Sequence, residues 1–290
     1  MNDHTDHSAV VSGKRVAYWA EGDGGTPLLL LHGFPQTRLA WRHVLPALAA
    51  DRRVVVADLP GYGDSDRLGP GPAGFDKAVV AEHLVAFMRE LGHDRFAVVG
   101  HDRGGLVAFR AALDHPEVIT HVGVLDILPT ADNWAALRGP AGVFAFHLYL
   151  LAQPDDFPER LLGRAPDVFF GHFLDGWTKV SGAIPPNVRA EYLRACGRPE
   201  TIAAICDDYR ASAFVDDERD RVDQERGARL AMPVLAAWQD PCDVRLPFDP
   251  AAIWRSWAGE LTTEVMPCGH FIPEEQPERL IAAIRELLRG

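Results

Sequence analysis

The chain has 290 residues, 47% of them hydrophobic and 24% charged, an ordinary globular composition with enough length for a large core. Its formal charge of −12 argues against nucleic-acid and anionic-membrane partners, which call for basic patches. No apolar run reaches the roughly 18 residues of a bilayer-spanning helix, and the opening MNDHTDHSAV lacks the basic-then-apolar order of a secretory signal. Cys196, Cys206, Cys242 and Cys268 are scattered without close pairing or metal-ligand spacing. Together these features lead us to expect a cytoplasmic protein with reduced thiols.

In chain order, the predicted strands of the first half are Arg15–Ala20, Pro27–Leu31, Arg53–Ala57, Phe96–Val99 and Val122–Leu125. Helical patterns lie between them at Arg38–Ala50, Asp76–Leu91 and Gly105–Asp114, the last stopped by His115-Pro116. Such alternation predicts an α/β fold with a mostly parallel sheet flanked by helices. From about Ala131 to Arg226 the strand signal fades, and helical pieces follow one another between Pro154, Pro158, Pro166 and Pro185-Pro186. Alternation then returns with Met232–Trp238, a helix around Ala251–Ala258, Leu261–Met266 and a last helix over Pro277–Leu288. The expected division is a core of 1–130 and 227–290, with a helical cap, 131–226, inserted between. The segment around His4 and His7 reads as a loose tail.

Ligands of open α/β sheets bind beyond the carboxyl ends of the strands. Four predicted strand ends carry suggestive residues: His32-Gly33-Phe34-Pro35, the GHDRGG stretch at 100–105, Asp126, and Cys268-Gly269-His270-Phe271. A nucleophile at a strand-to-helix turn, then an acid, then a late histidine is the triad order of the α/β-hydrolase pattern. The turn has the G-x-S-x-G spacing with Asp102 in place of serine. A lone aspartate there reads equally as a helix cap. Two flanking glycines and an available His270 favour the nucleophile. For the acid, Asp126 competes with Asp240 and Asp243, which follow the strand Met232–Trp238.

An aspartate changes the chemistry. A serine must lose a proton before it attacks, whereas a carboxylate with a reference pKa near ~3.9 is already ionised at neutral pH. Attack on an acyl carbon would give an anhydride with little gain. Attack on a saturated carbon bearing a leaving group gives an ester of Asp102, which His270 would hydrolyse by activating water. The oxyanion would face the backbone N–H groups of Phe34 and Arg103. Carbon–halogen and epoxide bonds are therefore the expected targets, and esters, lipids and peptides are disfavoured.

Beyond these features, the chain resembles the haloacetate dehalogenases, fluoroacetate dehalogenases among them, of the α/β-hydrolase fold. The resembling stretches are HGFPQT at 32–37, ADLPGYGDSD at 57–66, GHDRGG at 100–105 and LDILPT at 125–130. LAQP at 151–154, CDDYRA at 206–211, FDPAAIWRSWA at 248–258 and GHFIPEEQPE at 269–278 extend the match through the cap. GHDR and the late GH are shared with epoxide hydrolases. The resemblance implies Asp102 as nucleophile, His270 as base and Asp126 as its orienting acid. It further implies Arg103 as the clamp on a substrate carboxylate, with a surface salt bridge to an acid of the cap as the alternative, His147 and Tyr209 as the halide pocket, and a homodimer. No metal or organic cofactor is expected, since the histidines lack ligand spacing and there is no phosphate-binding glycine loop.

Two positions depart from the family pattern. A second clamp arginine often stands where this chain has Leu106, and a tryptophan often follows the pocket histidine where this chain has Leu148. Both changes describe a more apolar pocket and a halo-acid larger than fluoroacetate; Tyr149 reads as a core aromatic, with a replacement for the missing donor as its alternative. The alternative is an epoxide hydrolase, which would need a second cap tyrosine where His147 stands and leaves Arg103 without a purpose. A third reading, a non-catalytic ligand-binding protein of this fold, predicts a broken triad, and this triad is complete.

Overall fold

The computed structural model describes residues 4–240 and 248–289. Eight strands make one sheet: β1 (His7–Val11), β2 (Lys14–Glu21), β3 (Leu28–Leu31), β4 (Val54–Ala57), β5 (Phe96–His101), β6 (Ile119–Leu125), β7 (Val234–Gln239) and β8 (Leu261–Met266). Their order is β1-β2-β4-β3-β5-β6-β7-β8, with β1 and β2 antiparallel to their neighbours and the rest parallel.

The central strands are short apolar runs, LLLL in β3 and VVVA in β4, because both faces of a parallel sheet are covered. Alternate side chains point to opposite faces. Leu29, Leu31, Val55 and Val98 pack into one cluster with the helices Lys77–Glu90 and Arg103–Asp114. Leu28, Leu30, Val54 and Val56 pack into a second with Trp41 and the helix Pro277–Leu287. Burying these rows against helices on both sides is what fixes the register.

That register sets the site. Leu31 pairs with Gly100, His101 with Leu125, Leu125 with Ala237 and Gln239 with Met266, so five strands end along one edge. From β3 the chain first runs outward to β4, then crosses back to β5 on the other side. The loops after β3 and β5 therefore part at a topological switch point, where a crevice opens.

Between β6 and β7 the chain is built of helices, from Thr130–Ala136 through Asp217–Glu225, apart from a single bridge at Leu230. Prolines open several of them, including Pro166–Trp177, Pro186–Cys196 and Pro199–Ala211. At the first helical position a missing N–H costs nothing, so these prolines start helices and do not merely separate them. No helix among the described residues is long and apolar enough to cross a membrane.

Two expectations fail locally. The helix over Arg38–Ala50 is instead a short 3-10 turn, Arg38–Trp41, and a single α turn, Leu45–Leu48. Pro46 has no N–H to donate to the carbonyl four residues earlier, so it sits in the first turn of a new helical segment and not inside a continuous helix. The loose tail is the edge strand β1, with His7 opposite Tyr18, and His4 Nδ1 lies 2.6 Å from Glu21 Oε1. Its pairing with β2 supplies the order that a five-residue polar-apolar run does not signal by itself.

Candidate active site

Asp102 follows β5 with φ +49° and ψ −118°, strain that places its carboxylate at the tip of the turn into the helix Arg103–Asp114. The backbone must fold tightly for this. A Cβ at Gly104 would meet His32 O at 2.4 Å, and one at Gly33 would meet the Asp102 Cβ at 2.4 Å. The helix-cap alternative fails, since the Asp102 side chain makes no capping bond to its helix. Instead the N–H of Phe34 donates to Asp102 Oδ1 at 2.7 Å across the switch point. Burial raises the Asp102 pKa; His270, Arg103 and the N–H groups of Phe34 and Arg103 act against it.

His270 follows β8 and is held by its backbone: its N–H donates to Trp177 O at 3.0 Å, and its C=O lies 2.7 Å from His101 Nε2. Nδ1 sits 2.6 Å from Asp126 Oδ2, while Nε2 has no hydrogen-bond partner among the described residues and lies 4.0 Å from Asp102 Oδ2. Burial pushes the His270 pKa down, but the hydrogen bond and charge of Asp126, with Asp102 behind them, raise it above the ordinary value. Asp126 also has a positive φ, +50°, and is fixed by Gln239, whose N–H and Nε2 each donate to it at 2.9 Å. Of its rivals, Asp240 donates its backbone N–H to Met266 O, and Asp243 lies outside the described residues.

Arg103 lines the same cavity, but its arrangement differs from an open clamp. Its Nε and Nη2 donate to the two carboxylate oxygens of Asp208 at 2.8 and 2.9 Å, and its guanidinium stacks 4.3 Å from the Tyr209 ring. Asp208 also accepts from Lys77 Nζ at 2.5 Å and Tyr62 Oη at 2.8 Å. Burial favours the neutral acid at Asp208, yet the cations Arg103 and Lys77 outweigh it and hold the carboxyl below the usual range. The expected bidentate fork for substrate is therefore occupied by protein, because a guanidinium only 2% exposed needs a counter-charge. Nη1 has no protein partner among the described residues. Asp208 and Tyr209 are consecutive on the helix Pro199–Ala211, so the ion pair that joins this helix to Arg103 also sets the Tyr209 ring in place.

His147 lies on the helix Phe146–Leu151, its ring stacked 5.9 Å from Phe34 and edge-on to Tyr209 at 5.8 Å. Burial, then the charges of His270 and Arg103, push its pKa down to about 3, so the ring is neutral; its Nδ1 has no hydrogen-bond partner among the described residues. Burial and the Asp102 charge push the Tyr209 phenol well above its ordinary value, so it stays a donor. Leu148 lines the cavity as expected; Leu106 is buried but is not part of the lining. Tyr149 does not supply the missing donor: it is 40% exposed and gives its hydroxyl to Leu137 O at 2.8 Å. The indole comes from Trp177, at the far end of the helix Pro166–Trp177, with its ring 5.1 Å from His147 and 4.7 Å from His270. Sequence adjacency could not find it, since two separate helices bring the rings together. Asp208 and Gln239 were missed as well, and the only signal for Asp208 was its place in CDDYRA.

Residues 26–277 match the α/β-hydrolase fold family. The chain belongs to that family. It is 35% identical to the fluoroacetate dehalogenase of Burkholderia sp, over 92% of this chain and 88% of that protein. It is 32% identical to the soluble epoxide hydrolase of Corynebacterium sp. (strain C12), over 96% of this chain and 94% of that protein. The crystal structure of wild-type Cfl2 from Burkholderia cenocepacia superposes with a TM-score of 0.88 at 32% identity, covering 98% of this chain and 95% of that one. This α/β-hydrolase chain thus lies among dehalogenases and epoxide hydrolases, and the expected enzyme class, hydrolase, holds.

Proposed function

We propose that the protein is a hydrolytic dehalogenase of small halogenated carboxylic acids that works through an ester of Asp102. Asp102 Oδ2 attacks the carbon bearing the halogen, the carbon–halogen bond breaks, and the halide leaves toward Tyr209, His147 and Trp177. His270 Nε2 then takes a proton from a water that attacks Cγ of the ester. The negative charge gathers on Oδ1, against the Phe34 and Arg103 N–H groups. Collapse breaks the bond from Cγ to the substrate-bearing oxygen, His270 returns its proton to the departing alkoxide, and the other proton of the water is lost to solvent as Asp102 is restored; Asp126 stabilises the transient imidazolium. The observation that carries this reading is the split use of one carboxylate: Oδ1 accepts the Phe34 N–H at 2.7 Å, and Oδ2 faces His270 Nε2 at 4.0 Å. A carboxylate whose second oxygen already sits against an N–H donor is arranged for ester hydrolysis at Cγ.

A halo-acid is favoured over an epoxide by what lines the cavity. Tyr209 is the one tyrosine among the described lining residues, and the buried cation Arg103 has no use for a neutral ring. Epoxide hydrolysis is kept as the second reading by the pairing of Arg103 with Asp208, which offsets that cation. The division into a core of 1–130 and 227–290 with a cap of 131–226 belongs to the same proposal, as do a homodimer and a cytoplasmic location. The buried free thiols of Cys196, Cys206 and Cys268 support a reducing compartment. The deciding experiment measures halide release from fluoro-, chloro- and bromoacetate and 2-halopropionates, beside diol formation from styrene oxide. Halide release from the acids is expected; diol formation with no halide from any acid would contradict the dehalogenase reading.

A further inference from the structure

We infer that the substrate of this site is a 2-halocarboxylate bearing an apolar arm of several carbons at C2, seated in a chamber between the nucleophile and the helices after β6. The inference rests on the dehalogenase reading and concerns what that reading leaves open, the substituent on the reacting carbon. The cavity at Asp102 has a volume of about 330 Å³. An apolar cavity of roughly 150 Å³ already holds a benzene ring. A haloacetate, two carbons and a halogen, would leave most of this chamber unfilled.

The lining mixes two chemistries. Asp102, Asp126, His270, Arg103, His147 and Tyr209 supply its reactive and charged groups. Leu128, Leu137, Ala141, Ala145 and Leu148 supply apolar surface, with Phe144, 84% exposed, beside them and Asn133 and Gln239 as the further polar side chains. The aliphatic side chains cannot hold a water by a hydrogen bond, so water against them is readily displaced by a hydrocarbon group.

The charged groups point the same way. Asp208 takes Nε and Nη2 of Arg103, which leaves Nη1 as the guanidinium donor without a protein partner among the described residues. At most one guanidinium nitrogen of Arg103 is thus left for a substrate carboxylate, where an open fork would offer two. With Leu106 where a second clamp arginine would stand, the ionic anchor is thin. Binding energy must then come from apolar contact, and the wall of Leu128, Leu137 and Leu148 is where that contact is available.

Burying a methylene group contributes roughly 0.8 kcal/mol, or about a fourfold gain in affinity. Two measurements on the purified protein test the inference. Calorimetric titration with propanoate, butanoate, pentanoate and hexanoate, which have no leaving group, reads the arm without the chemistry. The dissociation constant is expected to fall about fourfold per added carbon. Halide release from 2-bromopropanoate through 2-bromohexanoate, whose reacting carbons share the same substitution, is expected to rise in kcat/KM by about 60-fold over the three methylenes. Ala141→Trp, which adds bulk to the apolar lining, should flatten both series. Affinity that stays level or falls from propanoate to hexanoate in the parent protein overturns the inference, whatever Ala141→Trp does. Tight hexanoate binding with no halide from any 2-bromo acid overturns the dehalogenase reading instead. The two failures are thus distinguishable.

Discussion

The two walls of the cavity are built on different principles. On the core side, Asp102, Asp126 and His270 stand directly after strands, and backbone features hold each in place: a positive φ at both aspartates and a Trp177 carbonyl on the His270 N–H. On the other side, His147, Tyr209, Trp177 and Leu148 come from three helices, and their positions depend on ring packing and on the ion pair between Asp208 and Arg103. In the proposed reaction the first wall sets which bond breaks. The second fixes what is attached to it, and a fold can change that wall while keeping the chemistry.

The comparison can be broken from the core side first. His270→Ala should abolish turnover while leaving alkylation of Asp102 intact, so intact-mass spectrometry after incubation with 2-bromopropanoate should show a stable adduct. Absence of an adduct, with a substrate that the parent protein turns over, would remove the ester from the mechanism.

Next in size is Asp126→Asn. Loss of the orienting acid should lower turnover by about 10⁴-fold, as for the equivalent change in a serine triad. The pH profile separates orientation from charge. As a base His270 must be neutral, and its pKa is raised, so the parent rate should fall as pH drops through a value above 6.5. Without the Asp126 charge that limb should move to lower pH; an unmoved limb would mean another group titrates.

On the other wall, Arg103→Leu should raise KM for haloacids by about 10-fold or more, the worth of one charge-assisted hydrogen bond, with a smaller effect on kcat. It should also cost about 1.5–3 kcal/mol of stability in denaturant unfolding, the worth of a hydrogen bond between charged groups, since buried Asp208 would keep only Lys77 and Tyr62. An unchanged KM would detach Arg103 from substrate. The smallest effect is expected for Tyr149→Phe, whose hydroxyl meets only Leu137 O: kcat/KM should stay within twofold, and a larger drop would place Tyr149 in the pocket after all.

The same contrast explains what could be read from sequence. Runs such as Leu28–Leu31 and Val54–Ala57 announce buried parallel strands because burial on both faces demands unbroken apolar residues. A residue just after such a run is placed by the strand end, so Asp102, Asp126 and His270 could be named as candidates from sequence, with Asp240 and Asp243 as rivals to Asp126. Trp177 could not, because no local pattern says which two helices will bring it to His147. Nor could Asp208 as the partner of Arg103, since a buried cation requires some acid but its sequence does not name one. The edge strand β1 and the broken helix at Pro46 were lost for smaller reasons: pairing outweighed composition in the first, and one proline outweighed periodicity in the second.

The central claim is that Asp102 itself gives an oxygen atom to the product. A single turnover of 2-bromopropanoate in ¹⁸O-water, with enzyme in excess, tests it most directly. If water attacks Cγ of the ester, the first hydroxy acid released carries unlabelled oxygen at C2, and the label appears in the peptide containing Asp102. Label in the first-turnover product, with Asp102 unlabelled, would mean that water attacks the substrate carbon itself and would contradict the account.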